Sequence, residues 1–107
     1  MKHQITTAYT REFENAPRVA KGDVIHFERL DPKNPLWFFG RGVAGFFPVQ
    51  WFQVDGQSAV ASRDYDAAEL SISIGRRVEI IERYGGWILV DDEGSQGWIP
   101  QEAIHEG

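Results

Sequence analysis

A pattern stated twice constrains this chain more than any other feature. Trp37 to Phe52 reads WFFGRGVAGFFPVQWF, and Trp87 to Ile104 reads WILVDDEGSQGWIPQEAI. Each opens on Trp and an apolar run, breaks at a Gly-containing turn, and resumes as Gly-aromatic-apolar-Pro. An apolar strand, a tight reversal and a second apolar strand predict a β-hairpin. Pro48 and Pro100 then stop the return strand, because proline donates no ladder hydrogen bond. A solvent-facing Trp beside such a strand end points to a binding surface rather than a catalytic one.

The echo extends through the chain. Phe13 answers Tyr65, Gly22 answers Gly75, Glu28-Arg29 answers Glu82-Arg83, Gly45 answers Gly97 and Pro48 answers Pro100. These offsets of 52 to 54 residues predict two copies of one unit, over residues 1–55 and 56–107, joined by Asp55-Gly56-Gln57-Ser58. Units of this size bury only about 60% of their unfolded surface and are marginal alone.

Local patterns predict strands throughout. Val24 to Leu30 alternates with Ile25 and Phe27 inward, and Leu70, Ile72 and Ile74 share one face. Residues 1–7 are polar and read as an arm or a first strand that pairs late. Asp31 to Pro35 is a loop by composition, Arg41-Gly42 and Asp91 to Gly94 are turns, and Val49 to Trp51 suits a single helical turn. Of the adjacent phenylalanines, alternation sends one of Phe38 and Phe39, and one of Phe46 and Phe47, into the core with Phe52. Five short strands per unit predict an all-β chain of two small five-stranded antiparallel barrels.

Composition removes several functions. There are no cysteines, so disulfides and thiolate chemistry are excluded. No apolar run reaches the roughly 18 residues that would span a bilayer, and Met1 to Ala8 lacks the apolar stretch of a signal peptide. A soluble cytoplasmic protein is expected. Residues 1–57 carry a net charge of +1 and residues 58–107 carry −6. Such an acidic second half disfavours nucleic acid and favours a partner bearing Arg or Lys. The histidines at positions 3, 26 and 105 are scattered, and no catalytic triad, phosphate-cradling loop or metal-ligand spacing is present. No enzyme activity, cofactor or metal is expected, and the acids of Asp91 to Glu93 read as a solvated turn.

These motifs carry a family resemblance. Ala61-Ser62-Arg63-Asp64-Tyr65 resembles the ALYDY motif of Src-homology-3 (SH3) domains, and Glu69-Leu70-Ser71-Ile72 is similar to their ELSF motif. Trp87 resembles the first residue of their Trp pair, and Gly97-Trp98-Ile99-Pro100 their GxxP strand end. In the first copy, Lys21-Gly22-Asp23, Trp37-Phe38-Phe39-Gly40 and Gly45 to Phe52 resemble KGD, WWxG and GxFPSNYV in the same order. The resemblance implies two tandem SH3-like barrels acting as a non-catalytic adaptor. It implies docking of an extended, proline-rich and basic peptide or protein segment across aromatic ridges. Carried over residue by residue, the first groove would use Phe13, Trp37, Pro48 and Trp51, with Glu12 and Glu14 as acids. The second would use Tyr65, Trp87 and Pro100, with Asp64, Asp66 and Glu69.

Departures rank the grooves. The first Tyr of the ALYDY pattern is Arg11 in one copy and Arg63 in the other, and the last groove Tyr is Trp51 in the first copy but Ala103 in the second. The first groove is therefore expected to be the better preserved, centred on Trp37 and Trp51. Two other roles are open at this point. The aromatic surfaces could pack between the units or between chains as an assembly module, or the chain could be a bacterial-type SH3 module that binds cell-wall peptide. The segment Arg29 to Pro35 also fits the RxxPxxP pattern that SH3 domains read in ligands, beside its plainer reading as a closed loop.

Overall fold

The computed structural model describes residues 1–12, 16–43 and 45–105. Phe13 and Glu14, two of the expected groove residues, lie outside them. Among the described residues eleven strands run β1 Lys2–Gln4, β2 Arg18–Val19, β3 Val24–Leu30, β4 Trp37–Gly40, β5 Phe46–Pro48, β6 Phe52–Asp55, β7 Ser58–Ala61, β8 Tyr65–Asp66, β9 Arg77–Tyr84, β10 Trp87–Asp92 and β11 Ser95–Pro100. Single 3-10 turns at Val49–Trp51 and Gln101–Ala103 follow the two prolines. The fold is all-β, and every ladder between strands is antiparallel. The ladders form open sheets of order β5-β4-β3-β7-β6 and β1-β9-β10-β11, with β2 and β8 as a separate pair.

The expected division after residue 55 falls inside a hairpin. Asp55 pairs with Ser58, so Gly56 and Gln57 form a two-residue turn between β6 and β7. Gly56 has a φ of +61° at the first turn position while Gln57 stays negative, the sign pattern of a II′ hairpin. Gly at the first turn position between two strand-forming runs is the II′ hairpin signal, and here it outweighs the linker reading of the same four residues. Strand β7 then pairs with β3 as well as β6, tying residues 58–61 into the sheet of the first half.

The chain accordingly packs into two compact units. One is continuous over 15–67, and the other combines 1–14 with 68–107. Each sequence half thus lends its opening segment to the unit that bears the other half's hairpin. In the continuous unit the two ends meet, with Arg18 opposite Asp66, Val19 opposite Tyr65, and Ala67 N–H donating to Pro17 O at 3.0 Å. In the discontinuous unit β1 pairs with β9, Lys2 opposite Glu79, so residues 2–4 form a strand rather than a free arm.

Backbone bonding repeats between the units. Ile5 N–H donates to Arg76 O and Ile5 O accepts from Gly75 N–H; Ala61 makes the same two bonds with Asp23 O and Gly22 N–H. Thr6 N–H reaches Ala103 O, and Ser62 N–H reaches Trp51 O. Tyr9 bridges Ile72 while Tyr65 pairs with Val19. Tyr65 therefore answers Tyr9, at an offset of 56, rather than Phe13 at 52. The reason is local: ten positions separate Tyr9 from Val19, and seven separate Tyr65 from Ile72. A constant offset cannot cross that difference of three.

Alternation builds the cores. In the continuous unit Phe38 and Phe47 are fully enclosed and Phe52 is buried beside them, with Phe38–Phe47 stacked at 5.3 Å and Phe38–Phe52 edge-to-face at 5.2 Å. Their neighbours Phe39 and Phe46 turn to the opposite face and pack on each other at 4.9 Å. In the discontinuous unit Ile5, Ile72, Val78, Ile88, Val90, Ile99, Ala103 and Ile104 form one cluster. Ile74 does not join Leu70 and Ile72 as expected. It is 67% exposed because the chain already turns at Ile74-Gly75.

Candidate functional site

The four indoles differ sharply in exposure. Trp37, Trp51 and Trp98 retain only 5%, 8% and 3% of their surface, whereas Trp87 is half-buried. This corrects the expectation of solvent-facing tryptophans at Trp37 and Trp51. Trp37 stands opposite Pro48 across β4 and β5, and both are buried. Trp51 packs edge-to-face on Tyr65 at 5.5 Å, and the Arg63 guanidinium lies 3.6 Å above its ring. A small unit needs large side chains to fill its interior, and these aromatics serve that need.

The grouping of the second expected groove also changes. Tyr65 does not join Trp87 and Pro100; it lies in the continuous unit against Phe47, Trp51 and Phe52, and its hydroxyl donates to Phe46 O at 2.8 Å. Asp64 and Asp66 follow it. Asp64 accepts from Lys21 N–H at 2.8 Å, and Asp66 pairs with Arg18 at 3.3 Å. The expected cation partners of a ligand are thus occupied by groups of the same unit.

The surviving members of that groove acquire a different tyrosine. Trp87 opens β10 opposite Pro100, which closes β11, so strand register alone brings them side by side. Tyr9 meets the Trp87 ring edge-to-face at 5.8 Å and 82°. Tyr9, Trp87 and Pro100 all remain half-buried. The Tyr9 hydroxyl donates to Glu69 Oε1 at 2.5 Å, and Glu12 N–H donates to the same oxygen at 3.0 Å. Arg11 N–H reaches Ser71 Oγ at 3.0 Å, fastening the segment to residues 69–72. The site therefore unites Glu12, Glu69, Trp87 and Pro100 with Tyr9, which the sequence reading missed. Its signal was the short distance to Thr6-Thr7-Ala8, which answer Ser62-Arg63-Asp64 once the offset is 56.

Electrostatics single out the same unit. Residues 1–14 and 68–107 contain five Lys or Arg and ten Asp or Glu, a net charge of −5, while residues 15–67 contain six of each. The whole net charge of the protein sits with the half-exposed aromatics. Partial burial, and then Glu69 and Glu12, push the Tyr9 phenol well above its ordinary value near 10. It stays a neutral donor at any physiological pH. Because the folded value is raised, this stabilisation is complete below pH ~10 and is lost as pH climbs beyond it. Tyr9→Phe should flatten the alkaline arm of a stability-versus-pH curve, measured by urea unfolding between about pH 8 and 11.

Other expected features are structural. Arg29 sits at the end of β3 with its guanidinium 4.4 Å from the Phe39 ring, and the Asp31–Pro35 loop is closed by Asp31 and Asn34. Asp91 caps Gly94 N–H at 2.7 Å, and Arg76 pairs with Asp92 and Glu93 at 2.6 and 3.6 Å.

No curated protein and no solved structure matches the chain. The family model of the bacterial SH3 domain matches residues 61–106, starting at the end of β7 and running through the second hairpin and Pro100. Residues 61–106, which hold Glu69, Trp87 and Pro100, are similar to the bacterial SH3 domain, a family of generally non-catalytic binding modules.

Proposed function

We propose that this chain is a non-catalytic binding protein that captures an extended, basic peptide segment across Tyr9, Trp87 and Pro100. The observation that carries the reading is the half-exposed Trp87–Tyr9 pair beside Pro100, in the unit that holds all the net negative charge. A polyproline-like segment is already extended, so docking costs it little conformational entropy. Both bonds to Glu69 use Oε1, which leaves Oε2 to accept from a ligand Arg or Lys. We further read both units as SH3-like barrels that have exchanged their opening strands, with the repeated backbone bonding at Ile5 and Ala61 as support.

The test is a proline-rich peptide array followed by titration calorimetry on the best binder. Trp87→Ala should weaken binding at least about tenfold, as truncating a central aromatic anchor does. Glu69→Gln keeps an acceptor for Tyr9 but removes the charge. It should weaken basic peptides severalfold and leave neutral ones unchanged. Equal binding by wild type and Trp87→Ala would sink this reading. A second reading, capture of a cell-wall peptide, is favoured by the bacterial SH3 match. Co-sedimentation with purified sacculi, combined with silence on the array, would select it.

A further inference from the structure

We propose that β6 is a docking edge for a second copy of this chain, which adds its own β6 antiparallel about a two-fold axis between the two Val54 residues. Strand β6 closes one side of the sheet of order β5-β4-β3-β7-β6. The direction of its backbone groups follows from its neighbour. Ala61 N–H donates to Asp23 O and Ala61 O accepts from Gly22 N–H, so Ala59 and Ala61 face β3 while Ser58 and Val60 face β6. The partners of Ser58 and Val60 are Asp55 and Gln53. The N–H and C=O of Val54 therefore point away from the sheet, and among the described residues no backbone group meets them.

The other edges of the two larger sheets are blunted. Strand β5 ends in Pro48, and its Phe46 carbonyl accepts from the Tyr65 hydroxyl at 2.8 Å. On β11, Trp98 N–H already donates to Ala68 O, and Trp98 O accepts from Leu70 N–H. Strand β1 opens on Lys2, the kind of charge that discourages strand addition. Strand β6 has no lysine, arginine or proline, and its edge is self-complementary. With Val54 opposite Val54 of the second copy, the two exchange both N–H···O bonds. Gln53 then falls opposite Asp55 of the second copy, an amide donor against a carboxylate acceptor, and both are exposed. A register centred on Asp55 would instead set two carboxylates face to face. Val54 is 41% exposed although alternation puts its side chain on the face of buried Phe52 and Ala59, and its counterpart covers it.

The pairing is isologous and consumes the edge on both copies, so it stops at a dimer. An edge of four residues buries far less than the roughly 1,200 Å² of a stable interface, so the dimer is weak, with a dissociation constant on the order of 0.1–1 mM. This inference concerns the unit of residues 15–67 and does not depend on the peptide capture assigned to Tyr9 and Trp87.

The test is sedimentation equilibrium and amide hydrogen exchange on the full chain, from about 0.02 to about 2 mM protein, a range that brackets that constant. Exchange of the Val54 amide should slow about two- to sevenfold across the range, by mass action, while the Gln53 and Asp55 amides that face β7 stay unchanged. Val54→Lys and Val54→Glu each set like charges against one another across the axis, and each alone should remain a monomer. An equimolar mixture of the two should associate again, because opposite charges then meet. Gln53→Glu, at an exposed position, brings a carboxylate against Asp55 of the second copy. It should weaken association severalfold, and it carries the test if the Val54 variants do not fold. A wild type that stays monomeric, with Val54 exchange independent of concentration, overturns the proposal. So does a dimer that survives Val54→Lys and Gln53→Glu, or a mixture that gains nothing over its parts. A dimer that perturbs Trp87 and leaves Val54 untouched overturns it in favour of assembly through the aromatic face.

Discussion

A fragment spanning residues 15–67 should fold on its own, whereas one spanning 56–107 should not. The first retains everything its sheet needs, including β7, β8 and the Arg18–Val19 strand that closes on them. The second keeps the acidic hairpin and Pro100 but loses Ile5, which is wholly enclosed in the core. Truncating a buried Ile to Ala alone costs about 2–5 kcal/mol, against a total of about 5–15 kcal/mol for an ordinary domain. Losing residues 1–12 also removes the backbone bonds from Ile5 to Arg76 and Gly75, from Thr6 and Thr7 to Ala103, and the two between Tyr9 and Ile72. It further strips β1 from β9, leaving an unpaired strand edge. In the full chain, deletion of residues 1–12 should collapse the amide dispersion of residues 68–105 while residues 15–67 keep theirs. A cooperative unfolding transition from the 56–107 fragment would refute the exchange of strands.

This exchange explains which parts of the molecule could be read from sequence. Hairpins are encoded by residues a few positions apart, so Trp37–Pro48 and Trp87–Pro100 were legible, as was the 3-10 turn behind Pro48. The inward choice within Phe38-Phe39 and Phe46-Phe47 is fixed by period two and by the register Phe38↔Phe47. Pairing across the chain is different, because a motif does not state which partner it will meet. Ala61 to Tyr65 and Glu69 to Ile72 lie next to each other in sequence and in the expected motif order, yet they belong to different compact units. Two similar halves offer each opening strand two equivalent partners, and only packing chooses between them. The site inherited that ambiguity. Trp87, Pro100 and Glu69 were expected in one groove and Glu12 in the other, whereas all four lie with Tyr9 in one unit. Burial was the second blind spot: a Trp beside a strand-ending proline has the same sequence signature whether half-buried like Trp87 or enclosed like Trp37.

Gly97→Val should be among the most damaging single substitutions in the chain, and its damage should reach the peptide site. A Cβ at Gly97 would lie 2.8 Å from Leu70 Cβ, 3.0 Å from Leu70 N and 3.2 Å from the Glu69 carbonyl carbon. Two of these are backbone atoms, so no rotamer change relieves the clash. Nor can the segment retreat freely, since Leu70 N–H donates to Trp98 O at 3.1 Å and Trp98 N–H to Ala68 O at 3.0 Å. Residues 68–70 must move as a body, carrying Glu69 away from the Tyr9 hydroxyl and the Glu12 amide. Overpacking of a tight site costs about 1–3 kcal/mol, and a branched side chain against backbone belongs at or above the top of that range. For a domain of this size the melting temperature should fall by roughly 10 °C or more. At the matched position in the other unit, Gly45, a Cβ would meet the Pro17 ring at 3.2 and 3.5 Å, and a φ of +104° makes the backbone conformation itself the main obstacle there. The decisive comparison is Gly97→Ala with Ser95→Ala on the same strand, where Ser95 is exposed. The first should lower the melting temperature and loosen peptide binding together, and the second should do neither. If Gly97→Ala melts like wild type, the close packing of residues 68–70 against β11 is not what holds Glu69 in the site.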